Sequence, residues 1–127
     1  MPDFFNILDR LPPLTYTIVA PTDLKGGWLN FGGVRVTVGY TKDSQNVVHV
    51  KGLIRDGNTV DNTVIFTLPV GYWPLERMIF RVAAFDTVSG LRIGRIDIDV
   101  DGTVKIRNTL ANDWLSIDGI SFVAAPV

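Results

Sequence analysis

The stretch that most constrains the fold is NTVIFTLPVGYWP at residues 62–74. Residues 63–68 form a compact apolar, β-branched run that reads as a strand. Pro69 lacks the N–H a ladder needs, Gly71 permits a sharp turn, and Tyr72 and Trp73 set two large rings beside Pro74. A strand that runs into a rigid aromatic corner belongs in a β domain, and the remaining segments are expected to pack around it as short strands.

Those segments repeat the same grammar. Residues 14–20 interleave apolar and hydroxyl side chains as a first strand, and residues 28–31 form a short aromatic strand between Gly26-Gly27 and Gly32-Gly33. In residues 34–40, Val34, Val36, Val38 and Tyr40 alternate with Arg35, Thr37 and Gly39, the pattern of a half-buried strand. After a polar turn at 41–46, residues 47–55 place Val48, Val50, Gly52 and Ile54 on the core side. His49, Lys51 and Arg55 lie opposite, with Leu53 interrupting the polar row. Residues 77–85 set Met78, Phe80, Val82 and Ala84 on one face, while Ile79, Ala83 and Phe85 make the arginine row partly apolar. Strands at 91–100 and 103–107 flank an Asp101-Gly102 hairpin, and a last strand at 114–123 is broken by Asp118-Gly119.

No strand alternates with a helix, so the expected class is all-β: a jelly-roll-like β-sandwich or barrel with a short N-terminal arm or helix. Phe4, Phe5 and Leu8 share one face of that arm before Pro12 and Pro13 end it. Residues 1–20 are expected to hold the arm and first strand, and residues 21–127 the sandwich domain.

A chain of 127 residues buries a real core without disulfides, and this one has no cysteine. Formal charge is −1 with the two signs interspersed, so no basic face for nucleic acid is visible. No stretch is long enough for a membrane helix, and MPDFFNILDR lacks a signal-peptide pattern. His49 is the only histidine and no serine sits in a nucleophile elbow, so nucleophilic catalysis is unsupported; His49 reads as a surface or subunit-interface residue.

Asp97, Asp99 and Asp101 share one strand face, where like charges repel. Open solvent, arginines such as Arg92, Arg95 or Arg107, or a bound calcium would each relieve them. Alternate residues of a straight strand offer calcium too few oxygens. The expectation is no enzyme, no metal and no cofactor.

The ordered motifs carry a resemblance. WLNFGG at 28–33 precedes Tyr40-Thr41-Lys42-Asp43; VVHVKGLIRDG at 47–57 and VIFTLPVGYWP at 64–74 follow; DGTV at 101–104 and WLSIDGISF at 114–122 close the series. This order resembles the β-structured head domain at the ends of bacteriophage tail fibres and related receptor-binding or baseplate-associated proteins. The resemblance covers residues 28–122 and departs from the family at Trp73, where arginine is more usual. It implies a homotrimeric, non-enzymatic head at the virion tail or fibre tip. Such a head touches other tail proteins and either attaches to a host-surface polysaccharide or other envelope component or caps a fibre. A cellular carbohydrate-binding module and a surface-glycan hydrolase are the alternatives.

Sugars bind by stacking their apolar faces on aromatic rings while polar groups take the hydroxyls. The candidate ligand-binding residues are therefore Tyr72, Trp73, Asp86, Arg92 and Asn112, drawn from turns and strand ends that a sandwich can gather into one patch. The competing expectation is that Pro69 and Pro74 simply lock both rings against the core.

Overall fold

The computed structural model describes residues 14–126. The expected N-terminal helix or arm and its Phe4–Phe5 pair lie outside the described residues. Eleven strands follow in order: β1 (Thr17–Ile18), β2 (Leu29–Asn30), β3 (Gly39–Lys42), β4 (Val47–Lys51), β5 (Leu53–Arg55), β6 (Val64–Thr67), β7 (Met78–Asp86), β8 (Gly90–Ile98), β9 (Thr103–Arg107), β10 (Trp114–Ser116) and β11 (Ile120–Val123). One 3-10 turn, Pro21–Asp23, is the only helical element among the described residues.

Two antiparallel sheets result, ordered β1-β3-β4-β11 and β2-β5-β10-β7-β8-β9-β6. Both remain open, so the molecule is an all-β sandwich rather than a closed barrel. Their facing sides share one core, with Val48, Val50, Ile120 and Phe122 on one sheet, Ile54, Ile65, Phe66, Ile96, Ile98, Ile106 and Leu115 on the other, and Val38 reaching in from the residue before β3. Phe80 and Phe122 meet across the layers with ring centroids 6.2 Å apart. Burying so many branched and aromatic side chains, each stabilising by about 1.5–3 kcal/mol, is what holds the sheets together.

The alternation in residues 47–55 is realised as expected, but as two strands in two different sheets. Gly52 is the switch: its φ is +150°, and an added Cβ would lie 2.8 Å from the Val38 side chain. The break at Asp118-Gly119 does the same for β10 and β11, returning the chain from the seven-stranded to the four-stranded sheet.

Two expectations need correction. The strand read over residues 34–40 begins only at Gly39; Val34 is fully exposed and Val36 partly so. Arg35 N–H donates to Gly32 O, and Leu53 N–H to Val36 O, so this segment is a loop beside β5. The run at 63–68, expected at the centre, supplies β6 at one edge of its sheet. It still buries Ile65, Phe66 and Leu68, because a register shift between Val64 and Phe66 turns consecutive side chains inward.

Candidate functional site

The aromatic corner is built by hydrogen bonds that the sequence only hinted at. Leu68 N–H donates to Gly102 O at 2.8 Å, tying the end of β6 to the β8–β9 hairpin. Trp73 Nε1–H donates back to Leu68 O at 2.7 Å, and Ala125 N–H donates to Trp73 O. The indole lies so close over Gly102 that a Cβ there would sit 2.3 Å from it, and Gly102 itself has φ +83°. Trp73 thus clamps three segments together. Tyr72, half-buried, makes an edge-to-face contact with Tyr40 at 5.0 Å. Lys42 Nζ lies 5.1 Å from the centre of the Tyr72 ring and donates to Gly71 O at 2.8 Å.

The other three candidates sit elsewhere. Asp86 accepts the backbone N–H groups of Val88 and Ser89, so it shapes the β7–β8 turn. Asn112 donates from Nδ2 to Gly57 O, and its carbonyl accepts from Asp56 N–H; it staples two loops. Arg92 is exposed on β8, in a shallow depression with Arg81, Leu91 and Ile93. Tyr72 and Trp73 lie just before the start of β7 and Asp86 at its end. Nine residues at roughly 3.3 Å each put about 25–30 Å between them. The five residues therefore do not gather into one patch.

The aspartate row is paired with cations. Asp97, 1% exposed, receives both Nε and a terminal nitrogen of Arg95 at 2.8 and 3.1 Å, with Arg107 at 3.9 Å. Asp99 takes Lys105 Nζ at 2.7 Å and Arg77 Nε at 2.6 Å; these bonds, that from Lys105 foremost, hold its carboxyl below the usual range. Asp101 accepts from the hydroxyl and backbone N–H of Thr103, which lowers its carboxyl too. Arg95 and Arg107 are partners the sequence suggested; Arg92, suggested with them, pairs with none of the three aspartates, and Lys105 and Arg77 were missed. Cross-strand register reveals Lys105, since it stands opposite Asp97. Among the described residues no group of three or more His, Asp or Glu side chains is arranged to hold a metal. His49 Nε2 lies 3.0 Å from Asp43 Oδ2, while Asp43 Oδ1 accepts from the backbone N–H groups of Gln45 and Val47. The bond to His49, ahead of those backbone donors, lowers the Asp43 carboxyl; the pair belongs to the β3–β4 hairpin.

The outer face of the seven-stranded sheet gathers exposed apolar side chains that none of these contacts covers. The register sets Ile79, Arg81, Ala83 and Phe85 of β7 opposite Asp97, Arg95, Ile93 and Leu91 of β8, all pointing away from the core. Ile79, Leu91 and Ile93 are 59%, 71% and 71% exposed. Trp114 stacks on Phe85 at 5.6 Å, nearly parallel, and extends the apolar surface towards Leu53 and Phe31. The partly apolar arginine row of residues 77–85 was its sequence signal.

No family model and no curated protein matches the sequence. Among solved structures, the fold is similar to the receptor binding protein of Listeria phage PSA. The TM-score is 0.65 at 17% identity, over 93% of this chain and 69% of that one. The two-sheet β architecture is thus shared with a phage receptor-binding protein.

Proposed function

We propose that this chain is a non-enzymatic head module of a phage tail or fibre, working as a homotrimer that attaches to a host-surface glycan. The observation that carries the reading is the outer face of the seven-stranded sheet, where exposed apolar side chains are interleaved with arginines in the manner of a protein interface. In a closed ring one part of that face meets a different part of the next copy. The likeness in fold to the receptor binding protein of Listeria phage PSA supports the same reading. So does the chemistry of the carboxylate row: Asp97 and Asp99 are tied to cations and Asp101 to a turn N–H and hydroxyl, so the three do not supply the pair of free carboxylates that glycoside hydrolysis needs.

Of the five sequence candidates, Tyr72 and Arg92 carry the glycan contacts in this proposal. Tyr72 keeps a half-exposed ring and Arg92 is exposed near the start of β8, with no side-chain ion pair among the described residues, whereas Trp73, Asp86 and Asn112 serve the backbone. Three copies raise weak single-site affinity by avidity. Such a module sits at the virion tail or fibre tip, against other tail proteins.

Light scattering after size-exclusion chromatography, followed by binding of the same sample to purified envelope polysaccharide and intact bacteria, tests it. A trimer that binds, with binding weakened by Tyr72→Ala or Arg92→Ala, supports the proposal. A monomer that binds a defined oligosaccharide turns it into a cellular carbohydrate-binding module. A trimer that binds no surface component becomes a fibre cap. Time-dependent depolymerisation of the glycan defeats the non-enzymatic reading.

A further inference from the structure

The sandwich stays open along one seam, and the seam is a cavity of about 370 Å³ whose walls are polar and apolar in about equal measure. It lies between the β1–β3 edge of the four-stranded sheet and β6, the edge strand of the other. That volume is at the small end of ligand-binding pockets, roughly 300–1,000 Å³. Thr17 and Tyr40 are direct cross-strand partners, so their hydroxyl-bearing side chains share the face that looks into the seam. Asp23 and Lys25 enter from the loop after β1, Thr67 from the end of β6, and Val19 supplies an apolar wall.

This loop is held in place by the strand it faces: Lys25 N–H donates to Ile65 O at 2.7 Å, and Val19 N–H donates to Val38 O at 3.0 Å. Lys25 Nζ is anchored on Thr22 O at 3.2 Å. Among the described residues neither the Asp23 carboxylate nor the Tyr40 hydroxyl has a side-chain hydrogen bond or ion pair, yet both line the cavity. Tyr40 also carries the Tyr72 ring on its flank, which joins the seam to the aromatic corner.

The lining is chemically specific. One carboxylate and one ammonium make it charge-balanced, so it selects neither an anion nor a cation. A carboxylate that accepts, an ammonium that donates, and three hydroxyls that do either match a ring bearing vicinal hydroxyls. The apolar wall suits the C–H face of such a ring. We infer that the seam between β1, β3 and β6 binds one neutral hexose unit of a polysaccharide, with Asp23 and Lys25 gripping adjacent hydroxyls and Tyr40 closing the inner end. This rests on the attachment reading above and names a site for it, with Tyr72 at its margin.

The test is a nitrogen-15 NMR titration of the full chain with methyl α-D-glucopyranoside, methyl β-D-galactopyranoside and methyl N-acetyl-β-D-glucosaminide, with glucuronic acid as charged control. The expected result is saturable shifts confined to residues 17–25, Tyr40 and Thr67 for at least one neutral sugar. Asp23→Ala should weaken that sugar at least about tenfold, from the loss of charge-assisted hydrogen bonds. Tyr40→Phe should weaken it less and leave the fold intact, since only the hydroxyl is removed. Asp23 is exposed, so its replacement leaves the core untouched. Shifts for none of the neutral sugars, shifts elsewhere on the molecule, or preference for glucuronic acid would each overturn the inference.

Binding to envelope polysaccharide, measured on the parent and both variants, separates the two claims. Equal binding by all three rejects the seam and keeps attachment. No binding by the parent to polysaccharide or sugar rejects both.

Discussion

The outer faces of the two sheets are built from the same kind of strand and differ in what they ask of their surroundings. On the four-stranded sheet, Thr41, His49 and Ser121 lie in register across β3, β4 and β11, and Gly39 faces Lys51. Thr41 gives its hydroxyl to Thr15 O and His49 pairs with Asp43, while Ile18 and Val123 are the exposed apolar residues at the two edges of this face. On the seven-stranded sheet, the equivalent positions hold Ile79, Ala83, Phe85, Leu91, Ile93 and Trp114, with cationic side chains between them. Water does not satisfy this surface. One alternating pattern thus made two sheets with a common core and exteriors that differ in how much apolar surface they gather at the centre, and the teaching is that a strand's second face carries the information about partners.

The largest expected effect comes from reversing that contrast. Ile93→Asp, joined with Leu91→Ser, puts charge and polarity into the middle of the apolar face. If the proposed trimer is closed by this face, light scattering should show the mass falling from three chains to one, while circular dichroism keeps its β signature. The mirror experiment, Lys51→Glu on the polar face, should leave the mass unchanged. If both sets behave alike, the contrast between the faces has no bearing on assembly.

Next in size is Asp97→Ala. It leaves Arg95 and Arg107 without the nearly fully buried carboxylate that receives them, and should cost about 2–4 kcal/mol in chemical denaturation. Asp43→Ala, its counterpart on the other sheet, breaks a solvent-screened pair with His49 and should cost much less. Equal losses would remove the difference in burial as an explanation.

Acid should act on both sheets through the same sign. Asp99 and Asp101 on one sheet and Asp43 on the other have carboxyls lowered relative to the unfolded chain. A lowered carboxyl stabilises the fold above the unfolded value, about 3.9, and that contribution disappears as pH falls through the lower folded value. Thermal melts should therefore be flat from neutral pH to about 5 and drop below about 4. Asp99→Asn should lower stability at neutral pH and shrink the acid drop; an unchanged drop would assign it to other groups.

The smallest effect is expected for Lys51→Glu itself. A half-exposed surface change should stay within about 0.5 kcal/mol of the parent in the same melts. A larger loss would show that the polar face, too, is engaged.

Much of this was readable beforehand, and unevenly. The alternations at 47–55 and 77–85 and the hairpin at Asp101-Gly102 foretold which side chains reach the core, because strand side chains alternate whatever the sheet. Val34 and Val36 misled for the same reason: they alternate, but their backbone lies in a loop rather than a ladder. The site fared less well. Trp73 was read as a candidate for sugar stacking, but its indole N–H is committed to Leu68 and its ring to Gly102, partners invisible to local pattern. The seam residues Asp23 and Tyr40 lie on different elements, and only the ladder between β1 and β3 brings them to one cavity.

By itself the sequence determined a β domain, its turns, and an apolar side for most strands, because these follow from period-two geometry and from the backbone limits of glycine, proline and asparagine. Tertiary structure alone decided which sheet each strand joined, that the sheets stay open, and which faces remain bare. Those outcomes depend on pairings between distant segments and on switches such as Gly52, where one residue's φ moves the chain from one layer to the other.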